Sequence, residues 1–194
     1  MYDLLSISSV EIEDCIVKYA DNLDVITNTS EIFVLEGKLR RKRNYETILK
    51  IKFDKYNNKN EYDYIIIDNS SSISSACVIN AMEISNYYIL ITNESISKGF
   101  NTAIDLFSEK KLLGILRNNF DIRTNFSEKV SQVLEEYFQK NLFETIIGTH
   151  IKYLEAEAQN KTIQNYDSKL AEPYNLLYDE ITERIINRFV ERYQ

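Results

Sequence analysis

Asp68 closes the run Tyr64-Ile65-Ile66-Ile67 and is followed by Asn69 and the small residues Ser70, Ser71 and Ser72. Aromatic and β-branched residues on both faces are the pattern of a strand buried inside a parallel sheet. Open α/β sheets bind ligands at the carboxyl ends of their strands, and an aspartate there can hold magnesium directly or through water. Asp68 is therefore the candidate metal ligand; the plainer alternative is a cap on the next helix or turn. A second candidate group is cationic. Lys38, Arg40, Arg41, Lys42 and Arg43 crowd one short stretch, able either to meet phosphates or to solvate a helix face. The lone His150 cannot build a histidine metal site. Gly37, Gly99, Gly114 and Gly148 are isolated, and neither G-x-x-x-x-G-K-[ST] nor G-x-G-x-x-G occurs. No loop that wraps phosphates with its backbone amides is thus in evidence.

The elements that must position these groups alternate. Residues 1–20 read as one or two short helices, and Leu23 to Thr27 as a short strand. Ser30 caps a helix with Ile32, Phe33, Leu35 and Leu39 as its buried stripe. Asn57 to Glu61 is a polar loop into the strand at Tyr64. Residues 73–84 read as a helix, Tyr87 to Thr92 as a strand, Lys98 to Glu109 as a helix, and Leu112 to Leu116 as a strand running on to Arg117, Asn118 and Asn119. Ser127 opens a helix that groups Val130, Val133, Leu134 and Tyr137. Phe143 to Ile147 is a further apolar run, residues 148–163 are irregular, and Glu172 to Arg192 is a terminal helix. Apolar strands alternating with helices predict an α/β fold, a parallel sheet flanked by helices.

With 194 residues the chain reads as one domain, 1–194, with a real core. No apolar run approaches a membrane helix in length and no signal peptide is recognisable, so a cytoplasmic protein is expected. Cys15 and Cys77 read as reduced core residues. A net charge of −7 argues against a globally basic nucleic-acid binder but leaves room for a local basic patch.

Several motifs occur together in a familiar order. Tyr62-Asp63-Tyr64-Ile65-Ile66-Ile67-Asp68 resembles the Walker B strand Y-D-Y-I-I-I-D-x-P-P-S of the ParA/Soj (MinD-like) partition ATPases. Leu113-Gly114-Ile115-Leu116, then Asp121-x-Arg123-Thr124-Asn125, is similar to that family's L-G-I-L…D-x-R-T-N. Phe143 to Ile147 matches F-x-T-x-I. Leu154-Glu155-Ala156, Lys161 and Tyr166-Asp167 match S-E-A…K…Y-D, and Tyr2 to Leu5 reads Y-D-L-L. The likeness spans nearly the whole chain but covers only the carboxyl-terminal two thirds of the family pattern. The K-G-G-x-G-K-T loop (Walker A), with the strand before it, has no counterpart. Ser70 and Ser71 replace prolines, the stretch between Phe107 and Leu112 is short, and Ile147-Gly148-Thr149-His150 stands where I-P-R-N frames the nucleotide base.

The resemblance implies a P-loop NTPase-like fold of the deviant Walker A class, truncated at its amino end. It implies a family that uses ATP and magnesium, closes as a dimer, binds DNA without sequence preference and answers to a ParB-like partner in chromosome or plasmid partitioning. It puts forward Asp68, Asn118 and Gly148 on the nucleotide side, with Asp68 facing magnesium, and Arg123 and Lys152 as contacts to nonspecific DNA. Without the lysine-bearing loop the expectation is no ATP hydrolysis by this chain alone, residual DNA or partner binding, and localisation in the cytoplasm or on the nucleoid. Alternatives are a phosphate-loop half supplied by a complementing amino-terminal fragment, and a decaying gene remnant. A phosphoacceptor receiver domain is a weaker rival, because Leu23 to Thr27 offers no acidic pair.

Overall fold

Strands form in this protein where an apolar run has a neighbour to pair with. The computed structural model describes residues 1–28, 32–56, 61–70, 72, 74–95 and 111–191. The predicted Ser30 cap, the loop at 57–60, the start of the helix at Ile73 and the helix over 98–109 lie outside the described residues, as do the side chains of Ile32 and Phe33. The chain divides into two compact units, 1–86 and 87–194.

In the first unit, α1 (Tyr2–Ser6), α2 (Ile32–Leu39), α3 (Ile48–Lys55) and α4 (Ala76–Ile84) surround a core of Leu4, Leu5, Leu35, Leu39, Leu49 and Ala76. Leu35 and Leu39 are one helical turn apart and so share a buried face. Asn80, fully buried, cross-links three elements. Its Oδ1 accepts the Leu49 amide at 2.9 Å, while Nδ2 donates to the carbonyls of Tyr45 at 2.7 Å and Ala76 at 2.8 Å. The run 17–20, expected to be helical, is instead β1 (Val17–Ala20), antiparallel to β2 (Leu23–Val25). Val17, Tyr19 and Val25 favour extended backbone, and Asp21 and Asn22 turn it.

Tyr64 to Ile67 departs from expectation. It has no ladder partner among the described residues, and Tyr64 is 56% and Ile66 91% exposed. A strand is held by the hydrogen bonds of its neighbours. Here, among the described residues, only the Ile67 carbonyl is engaged, by Asn69 Nδ2 at 3.1 Å.

In the second unit β3 (Tyr88–Thr92), β4 (Leu112–Phe120) and β5 (Leu142–Gly148) form a parallel sheet in that order. α5 (Asn125–Phe138) lays Val130 and Leu134 against Leu112, Ile115 and Phe120, whereas Val133 and Tyr137 are exposed. The stripe is therefore narrower than the sequence implied. The nominally irregular segment contains α6 (Ile151–Ala158) and α7 (Ile163–Tyr166), and α8 (Glu172–Glu191) sets Leu177 and Ile181 on Leu116, Phe143 and Ile147. β5 has an irregular register: Ile115 pairs with Leu142, yet Arg117 pairs with Ile146. The extra residues form a bulge. Buried Arg117 donates to the Phe143 and Glu144 carbonyls at 3.0 and 3.3 Å, and Glu180 of α8 accepts the Glu144 and Thr145 amides at 2.9 and 3.1 Å.

Candidate functional site at the carboxyl edge of the sheet

Parallel strands bring their carboxyl ends to one edge. Here that edge gathers Thr92, Asn93 and Glu94 after β3, Asn118 to Arg123 at the end of β4, and Gly148 to His150 after β5. Glu94 ties it together. Its Oε1 accepts the Asp121 amide at 2.7 Å and the Ser127 hydroxyl. Asn119 takes left-handed backbone at φ 61°, a conformation asparagine tolerates. The Thr149 amide donates to the Phe120 carbonyl at 3.0 Å, holding the two strand ends together.

The two candidate DNA contacts are both paired. Asp121 accepts from Arg123 Nε at 2.7 Å and Nη2 at 2.9 Å, a bidentate contact on an arginine whose side chain is 81% exposed. The pair holds the Asp121 carboxyl below its ordinary range and raises Arg123 further. The Thr124 hydroxyl accepts the Ser127 amide at 3.1 Å and caps α5. Lys152 Nζ reaches Asp167 Oδ2 at 2.6 Å, which raises the lysine and lowers the carboxyl. His150 caps α6, its Nδ1 accepting the Lys152 amide at 3.2 Å, and its ring meets Tyr153 edge-on. That is a structural role.

Asn118 and Gly148 stand in adjacent strands, with Asn118 opposite Ile147 and Phe120 opposite Gly148. Asn118 makes no side-chain hydrogen bond among the described residues. Asp68 belongs to the first unit and is exposed. It does not cap the following helix: Ser75 does, its Oγ accepting the Cys77 amide at 3.2 Å, helped by Glu36 Oε2, which accepts the Ala76 amide at 2.8 Å. No group of three or more His, Cys, Asp or Glu is placed to hold a metal among the described residues.

The cation run divides in the same way. Lys38 bonds the Tyr2 hydroxyl, Arg40 pairs with Glu36 at 2.6 Å, and Lys42 holds the carbonyls of Leu5 and Ser6 at 3.2 and 2.6 Å. Only Arg41 and Arg43 of the run lack a partner among the described residues. Sequence reasoning missed Glu94; the signal available was its place just beyond an apolar strand, the position that had singled out Asp68.

Comparison with known proteins settles the lineage. Residues 1–110 match the AAA_31 family, described as an AAA domain. The sporulation initiation inhibitor protein Soj of Bacillus subtilis is 30% identical over 197 residues, covering 93% of this chain and 75% of that protein. The chain belongs to the ParA/Soj family. The chromosome partitioning protein ParA of Myxococcus xanthus is 34% identical over 140 residues, covering 64% of this chain and 48% of that protein. A putative plasmid partition protein of Borrelia burgdorferi, solved bound to AMPPNP, aligns with a TM-score of 0.68 at 22% identity, covering 97% of this chain and 74% of that one. Cobyrinic acid a,c-diamide synthase of Mycobacterium smegmatis, solved with ADP and magnesium, aligns at 0.58 and 19% identity, over 71% of this chain and 59% of that one. At these identities the likeness establishes the fold, which for this ParA/Soj member is P-loop NTPase-like. No helix among its described residues is long and apolar enough to cross a membrane.

Proposed function

We propose that this ParA/Soj-family chain is a partitioning protein that binds DNA weakly and without sequence preference through Arg123 and Lys152, and that it does not hydrolyse ATP by itself. The observation that carries the reading is the pairing of Arg123 with Asp121 on the segment that follows β4. It is an exposed, forked donor held in one orientation and able to exchange its carboxylate for a phosphate. Lys152 offers a point charge in the same way. The catalytic half rests on the glycine-poor sequence, because a triphosphate needs amides, a lysine and magnesium around it. A ParB-like partner, a homodimer and association with the nucleoid belong to the same proposal.

Fluorescence polarisation with a labelled duplex of arbitrary sequence at low salt tests the DNA half; equal binding by the native chain and Arg123→Glu rejects it. Turnover that depends on magnesium and exceeds that of Asp68→Ala rejects the catalytic half.

One observation favours a second reading, in which the phosphate-loop half is supplied by another polypeptide. In the apolar run Tyr64 to Ile67 the first three residues are exposed and the last is half-buried, and the run lacks a ladder partner among the described residues, as a strand awaiting its neighbour would. Asp68 would then face magnesium only in the assembled pair. Mixing the chain with an amino-terminal fragment of a relative and measuring ATP binding separates the two readings.

A further inference from the structure

A depression of about 300 Å³ opens on the first unit, and the residues that line it include Lys42, Arg43, Lys52 and Lys55 but no Asp or Glu. In a chain with a net charge of −7 this is a local concentration of positive charge. Two of the four cations are fixed. Lys52, in α3, is only 6% exposed; its Nζ holds the carbonyls of Ile7 at 3.1 Å, Ser8 at 3.2 Å and Val10. Lys42 holds the carbonyls of Leu5 and Ser6. The two lysines thereby lash the segment after α1 to the helices. Their charge is met by carbonyl dipoles alone, with no carboxylate partner among the described residues. Arg43 and Lys55 are exposed, line the same depression and have no partner among the described residues. The Ser6 hydroxyl, on the residue whose carbonyl Lys42 holds, is buried without a hydrogen-bond partner there. Ile48 and Ile51 supply an apolar shelf.

We propose that this depression binds a small phosphate monoester carrying a short apolar group. Two fixed ammonium groups provide a standing positive field, and Arg43 and Lys55 provide open donors. Guanidinium forks match oxyanions bidentately. A phosphate carries close to two negative charges and three acceptor oxygens at neutral pH, which suits four cations better than a single carboxylate does. The apolar half of the ester rests on Ile48 and Ile51. The volume is at the small end of ligand pockets.

The test is a titration of the whole chain, followed by amide chemical shifts, with butyl phosphate, inorganic phosphate and butanol. Butyl phosphate should give saturable shifts at residues 5–10 and 42–43, at least about tenfold tighter than inorganic phosphate because of its buried methylenes. The exposed double reversal Arg43→Glu/Lys55→Glu should weaken it by at least about tenfold. Lys129→Glu/Lys140→Glu, the same charge change on the second unit, should leave it unaltered. Added salt should weaken it. Equal affinity for butanol, equal affinity for inorganic phosphate, or indifference to the Arg43/Lys55 reversal overturns the proposal. So does binding to vesicles containing phosphatidic acid without binding to butyl phosphate, which would make the source a lipid surface.

Discussion

Arg117 Nη2 donates to the Phe143 carbonyl at 3.0 Å, from a side chain 5% exposed. Through Nη1 the same guanidinium reaches Ser131 at 2.8 Å and Glu135 at 2.7 Å, so that one residue of β4 ties α5 to the bulge of β5. Arg117→Ala would leave the buried Phe143 carbonyl without that donor. We expect a loss of about 2–4 kcal/mol. Reversible denaturation of the two proteins checks this; an unchanged midpoint would show that the bulge is satisfied by other means.

Gly114 has no room for a side chain. A Cβ there would lie 2.8 Å from Arg184 Nη1 and closer still to Cε2 of the Phe143 ring, and Arg184 itself sits 4.1 Å from the centroid of that ring. Gly114→Ala should cost about 1–3 kcal/mol by overpacking, seen as a lower thermal midpoint. A variant as stable as the parent would mean that α8 can shift away freely.

Glu180 provides a pH signature. Burial alone would raise its carboxyl, but the Glu144 and Thr145 amides, the Thr145 side chain and Arg184 together hold it below the ordinary value of 4.5. A lowered carboxyl stabilises the fold above its unfolded value, and that contribution drains away as pH falls through 4.5 toward the lowered value. The stability difference between the parent and Glu180→Gln should therefore be full at neutral pH and shrink on acidification. A constant difference from neutral pH down past the carboxylate range would refute this.

Removing the carboxylate beside Arg123 should help DNA, not hinder it. Asp121→Asn frees the fork while keeping the backbone amide that Glu94 holds. Polarisation should show tighter binding, because the fork no longer has to leave a carboxylate to meet a phosphate, while the salt slope, set by the number of phosphate contacts, stays close to that of the parent. Weaker binding would imply that the ion pair presents Arg123 in a needed orientation.

Much of the second unit was legible in the sequence. β3, β4, β5 and α8 are strongly periodic or continuously apolar, and the partners that such patterns require lie nearby in the chain. The helix stripe was overread at Val133 and Tyr137, since periodicity alone cannot say how much of a face the sheet covers. The bridge at Glu94 depends on Asp121 and Ser127, neighbours distant in sequence that spacing does not reveal, whereas the caps at Thr124 and His150 are local contacts within three residues and were passed over. The strand expected at Tyr64 to Ile67 failed for the converse reason. Its composition was right, but propensity does not form a strand without a ladder. In the same way, most of the cation run from Lys38 to Arg43 turned out to be engaged by carbonyls, a hydroxyl and a carboxylate, none of them visible as a pattern.

The backbone of residues 64–70, whose amides find no acceptor among the described residues, is also a clock. Amide protons that lack internal acceptors exchange with heavy water almost as fast as in a free peptide. This stretch should therefore label within the first moments while β4 stays dark. Any polypeptide that laid a strand beside it would slow the exchange, reporting the encounter without a dye, a nucleotide or an activity.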